Sequence, residues 1–208
     1  MALINKSSND KFLSILSDGT IRLSVPEGTE GAVRREYETS DGKTGVKHEL
    51  VYTELSGMLT GVKFFEGDFG KLIQLTIEDP GEDPVVLSIG TASNFGEDLM
   101  KKLPGVDIEK PIVISPYSFE DEKGKKRKGV TLSQDGNKLE NYYYDKEAKK
   151  NTHGYPELKI TKKMSKDDWK MYFLKVRMFL IDEVSKKFGL EAQAPSDEIN
   201  AEEVFQDA

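Results

Sequence analysis

Between residues 52 and 134 the apolar positions recur at every second residue, interrupted once by a helical period. Leu55–Glu66 alternates over a long stretch and is broken by Gly57 and Gly61. Glycines inside a strand mark bends or bulges. Gly67-Asp68-Phe69-Gly70 is a turn. In Lys71–Glu78 the residues Ile73, Leu75 and Ile77 share one face, and Leu72, Gln74 and Thr76 the other. Asp79-Pro80-Gly81-Glu82-Asp83-Pro84 closes a hairpin onto a third strand, Val85–Ile89. The period then lengthens. Phe95, Leu99 and Leu103 fall at four-residue spacing in Asn94–Leu103, and Pro104-Gly105 stops the helix. Pro111–Tyr117 is a fourth strand, Glu120–Lys128 a charged loop and Gly129–Gln134 a fifth strand.

The flanks carry less pattern. Residues 1–30 read as an irregular extension, with Phe12–Leu16 docking on the domain and Ile21–Val25 as a short strand. Val33–Glu38 and Val46–Tyr52 flank Ser40-Asp41-Gly42-Lys43 and predict a hairpin. Residues 137–164 are polar. Ser165 is an N-cap with Asp168 three residues on, and Trp169, Tyr172, Phe173, Val176, Phe179, Leu180, Val184 and Phe188 form one helical stripe ending at Gly189. The order of three strands, a helix and two strands predicts a mainly β fold with some α: a five-stranded OB-fold-like β-barrel, with an added N-terminal hairpin and a long C-terminal helix. An SH3-like barrel or a sandwich with one helix is the alternative. The division is 1–30 extension, 31–164 OB-like nucleic-acid-binding domain, 165–190 amphipathic helix packed on it, and 191–208 disordered acidic tail.

Composition narrows the chemistry. The absence of cysteine excludes a thiol nucleophile and any cysteine-ligated metal, and His48 and His153 have no metal-site spacing. Neither a phosphate loop nor a nucleophile elbow is present. We therefore expect no enzyme activity, no cofactor and no metal. No apolar run suits a membrane span and Met1–Asp10 lacks a secretory pattern, so a cytoplasmic protein is expected. The net charge of −7 is segregated. Residues 1–100 hold 9 Lys+Arg and 17 Asp+Glu, residues 101–190 hold 21 and 14, and residues 191–208 hold six acids and no base.

A basic path with exposed rings suits single-stranded nucleic acid, since cations track the phosphates and aromatic faces stack the bases. If Val62 and Phe64 face the core, alternation sends Lys63 and Phe65 outward together. Gln74 and Thr76 would share that outward side, and Phe69 sits at a loop tip beside Lys71. Lys123, Lys125, Lys126, Arg127 and Lys128 make the fourth-to-fifth strand loop basic, and Arg34, Arg35 and Lys47 on the preceding hairpin extend the path. Tyr142–Tyr144 suit either stacking or packing.

Four of these parts together resemble the single-stranded DNA-binding proteins of tailed phages. They are the glycine-broken strand Leu55–Phe65, the turn Asp68-Phe69-Gly70-Lys71 running into Ile73–Ile77, the basic loop before Gly129-Val130, and the acidic tail. The resemblance covers about residues 30–135 and the tail. It implies a protein of the host cytoplasm, dimeric or in cooperative arrays, that coats single-stranded DNA during phage replication and recombination. It also implies recruitment of polymerase, helicase or primase through the tail, with Val204 and Phe205 as the apolar anchor. The family's tail commonly ends in an aromatic residue, whereas here Gln206-Asp207-Ala208 follow Phe205. The competing readings are an OB-like protein-interaction or virion structural module without nucleic-acid binding, and an RNA-preferring or recombination-accessory binder.

Overall fold

The computed structural model describes residues 11–39, 42–158 and 164–190. Ser40 and Asp41 of the first hairpin turn, and the tail with Val204 and Phe205, lie outside the described residues. Alternating segments form β1 (Lys11–Ile15), β2 (Ile21–Val25), β3 (Val33–Glu38), β4 (Thr44–Tyr52), β5 (Leu55–Gly67), β6 (Gly70–Glu78) and β7 (Val85–Gly90). Helix α1 (Asn94–Met100) follows, then a short 3-10 turn at Leu103–Gly105, β8 (Ile112–Glu120) and β9 (Lys126–Gln134). The two-residue strands β10 (Asn137–Lys138), β11 (Tyr144–Asp145) and β12 (Lys150–Asn151) precede α2 (Lys166–Lys187).

Ten of these strands make one open mixed sheet in the order β10-β9-β8-β5-β6-β7-β1-β2-β4-β3. The expected five-stranded OB-fold-like barrel is therefore not what this chain builds. Closing it would require β7 to meet β9, and both edges are already occupied. On β7 the partner is β1, which pairs in parallel with Leu13 opposite Leu87. On β9, Val130 lies opposite Pro116 of β8. On the edge away from β8, Val130 donates its N–H to Asp98 Oδ2 of α1 at 2.8 Å, and its carbonyl accepts from Lys102 Nζ. The side chains of Asp98 in α1 and of Lys102 just after it thus satisfy the Val130 groups on the edge that a closing strand would need. The hairpin β3–β4 is no appendage either, because β2 joins it to the sheet.

Strand β5 links the two halves of the sheet. Its first residues pair with β8 (Leu55 opposite Ile114) and its remainder with β6. The change of partner falls at Gly57 (φ +149°), and the register slips between Leu59 and Gly61. A Cβ on Gly57 would lie 2.7 Å from the Glu78 carbonyl oxygen. We expect Gly57→Ala to lower stability by about 1–3 kcal/mol, from backbone strain and steric overlap together. Gly28→Ala is the control, because Gly28 also has positive φ (+83°) but meets nothing within 4 Å. Urea unfolding checks this, with a lowered midpoint at constant slope for Gly57→Ala and a smaller change for Gly28→Ala.

One side of the sheet supplies the core. Phe64, Ile73, Leu75, Leu87 and Ile89 pack with Leu99 and Met100 of α1, with Ile112, Ile114, Val130 and Leu132, and with Val176, Leu180 and Val184 of α2. Ser93 caps α1 by accepting from Gly96 N at 3.0 Å. A reciprocal Ser165–Asp168 capping box starts α2. Tyr143 is fully buried between Tyr155 and Phe179, at ring-centroid distances of 5.7 and 5.2 Å. No helix among the described residues is long and apolar enough to cross a membrane.

Candidate nucleic-acid interface

Partners directly opposite each other in a ladder put their side chains on the same face. That rule traces three rows across the side of the sheet turned away from the core. Phe65 leads to Leu72 and Gly90; Lys63 leads to Gln74, Ser88 and Ser14; Gly61 leads to Thr76, Val86 and Phe12. Phe64 is 8% exposed and Phe65 52%. The alternation of β5 therefore places Lys63 and Phe65 outward together. Lys63 is in no ion pair among the described residues. Gln74 donates from Nε2 to Ser88 Oγ at 3.0 Å, which fixes the amide in the middle row.

Phe12, which the sequence reading leaves in a docking cluster, stands 56% exposed on this same face. It lies three strands and two rows from Phe65, or about 20 Å at ordinary strand and residue spacings. Lys63, Gln74, Ser88 and Ser14 fill the diagonal between the two rings. The signal for Phe12 was present in Lys11-Phe12-Leu13-Ser14-Ile15, which alternates ahead of the Ser17-Asp18-Gly19 turn. Phe69 lies in the β5–β6 turn, past the Phe65–Leu72 pair along the hairpin, and is 85% exposed.

Other sequence-selected cations are directed elsewhere. Lys71 sits opposite Glu66, on the reverse side from Phe65, with Nζ 4.0 Å from the Glu66 carboxylate. Arg34 also points to the reverse side and binds Glu36 at 2.7 Å. Arg35 and Lys47 face the same side as Ser14 and Arg22, but at the far edge of the sheet. There Arg35 donates from Nε and Nη2 to the two oxygens of buried Glu49, each at 2.8 Å. Lys47 Nζ lies 5.3 Å from the Tyr37 ring centroid. These four residues do not form one path with Lys63 and Phe65.

The β8–β9 hairpin makes a separate basic patch. Asp121 accepts from the backbone N–H groups of Lys123 (3.0 Å) and Lys125 (2.9 Å), and from Arg127 Nε (2.9 Å). The Lys125 amide, with the Arg127 guanidinium, holds the Asp121 carboxyl below the usual carboxylate range. That turn presents Lys123, Lys125, Lys126 and Lys128, none of which is in an ion pair with a described residue. Tyr117 and Phe119 flank it, their rings 5.8 Å apart, with Phe119 55% exposed opposite Arg127. Their i, i+2 spacing in β8 is the sequence signal that marks a shared face.

The arrangement offers rings for stacking, unpaired ammonium groups for phosphates and an amide for polar contacts. The chain matches no protein-family model, no curated protein and no solved structure.

Proposed function

We propose that this chain binds single-stranded DNA with little sequence preference, through the open face of β5, β6, β7 and β1. The observation that carries the reading is the exposed Phe65 ring beside the unpaired Lys63, with Phe12 on the same face. Base–aromatic stacking tolerates any base, and a cation between stacking rings meets the backbone. The lysines of the β8–β9 hairpin add long-range attraction for the polyanion. In this reading the protein protects exposed strands during phage replication and recombination, as the family resemblance implies. Residues 191–208 recruit replication proteins.

Fluorescence-anisotropy titration with single- and double-stranded oligonucleotides across a salt series tests the proposal. Preference for the single strand is expected, with a log–log salt slope of about −0.7 per phosphate neutralised. A flat salt dependence, or equal affinity for duplex, would remove it. The second reading is a protein-interaction module that binds no nucleic acid. It draws on the exposed Trp169 and Phe173 of α2 and predicts no salt-sensitive oligonucleotide affinity.

A further inference from the structure

Helix α2 has one apolar stripe and two environments along it. Trp169, Phe173, Val176, Leu180 and Val184 follow each other at spacings of four, three, four and four residues. They therefore lie on one face. Val176, Leu180 and Val184 are buried in the core. Trp169 and Phe173 continue the same face but are 37% and 41% exposed, their rings stacked at 5.8 Å and 25°. The first turns of α2 thus carry the core-facing stripe past the edge of the described core. Lys166, Lys170 and Arg177 recur at spacings of four and seven residues and form a basic stripe beside it.

The chain itself holds a segment of matching chemistry. After Leu190 come eighteen residues that include Glu202-Glu203-Val204-Phe205-Gln206-Asp207, an apolar pair with acids on both sides. Phe205 is separated from Leu190 by a chain that reaches about 50 Å when extended. The way back along the helix from Leu190 to Trp169 is only about 32 Å. Length, charge and apolar content all fit. We propose that Val204 and Phe205 of the same chain seat on the Trp169–Phe173 pair, with Glu202, Glu203 and Asp207 along the Lys166/Lys170/Arg177 stripe. The tail then has a seat of its own on α2, away from the nucleic-acid face. A partner that binds the tail anchor must displace it from Trp169. The inference does not depend on the nucleic-acid reading and stands or falls separately from it.

Trp169 is the single tryptophan of the chain, so its emission reports on the seat directly. The experiment compares acrylamide quenching and emission maximum of the full chain with those of Val204→Ser/Phe205→Ser and of a chain ending at Leu190. Far-UV circular dichroism is the control for α2. Both variants are expected to shift emission to the red and to raise the quenching constant about twofold, as a ring covered on both faces opens on one. A synthetic peptide of residues 191–208 should restore protection in the shortened chain when added near the effective concentration of a short tether, on the order of 1 mM. Identical emission and quenching in all three proteins would overturn the proposal. Protection that disappears on dilution of the full chain would overturn it too, because the seat would then be filled by a neighbouring copy's tail.

Discussion

Phe65→Ala is expected to weaken single-stranded DNA binding by roughly 1–3 kcal/mol, while leaving the unfolding midpoint of the protein unchanged. Phe64→Ala should do the reverse, costing about 3–5 kcal/mol of stability by emptying a core site. The two residues are neighbours in β5, of the same type, and differ only in the face on which alternation puts them. Phe64 sits opposite Ile73 within the core, whereas Phe65 sits opposite Leu72 with half of its surface open. A ring already in water loses little packing when it is removed, so its deletion acts on the ligand. Oligonucleotide titration and urea unfolding of both variants separate the effects. A Phe65→Ala protein that binds normally but unfolds early would place that ring in packing rather than in recognition.

Glu49→Ala is expected to cost about 1–3 kcal/mol, because the Arg35 guanidinium loses both of its carboxylate hydrogen bonds. Glu49 is 3% exposed. It accepts both hydrogen bonds from Arg35 of β3 and lies 3.7 Å from Arg22 of β2, so one carboxylate ties three strands together. The Arg22 side chain is only 12% exposed, and it is also held by Asp18 at 2.9 Å and by Thr20 Oγ1 at 2.8 Å. The same geometry sets a pH dependence. The hydrogen bonds from Arg35, reinforced by the charges of Arg35 and Arg22, hold the Glu49 carboxyl below its ordinary range despite burial. A carboxylate with a lowered folded-state pKa binds fewer protons folded than unfolded. Its contribution is therefore complete above the unfolded value of about 4.3, and it disappears as pH falls through the folded value. Between neutral pH and acid the wild type should lose more stability than Glu49→Gln, with the divergence beginning near pH 4. A Glu49→Ala protein within about 0.5 kcal/mol of wild type would mean that this network is open to water and dispensable.

The local part of the fold was legible and the long-range part was not. Period-two alternation located β5, β6 and β7 and separated Phe64 from Phe65, because a strand with one buried face has to declare it in sequence. Gly57 and Gly61 marked the bend and the slip in β5 for the same local reason. Closure depends instead on which edges find partners. Here Lys11–Ile15 reaches β7 from across more than seventy residues, and Asp98 and Lys102 reach Val130 through side chains, so no periodicity announces either contact. The site divides along the same line. Lys63, Phe65 and Gln74 come together because their grouping needs only one hairpin in register. Arg34 and Arg35 cannot serve one surface, since consecutive strand residues point to opposite sides, and that much was in the sequence. The capture of Arg35 by Glu49 was not, because it depends on how β3 registers against β4.

Amide and side-chain NMR shift mapping with a short single-stranded oligonucleotide tests the central claim most directly. The account predicts perturbations that run along the diagonal from Phe65 through Lys63, Gln74 and Ser88 to Phe12, with smaller ones at Lys123–Lys128. Perturbations absent from that face, or confined to the β8–β9 hairpin or to α2, would contradict it.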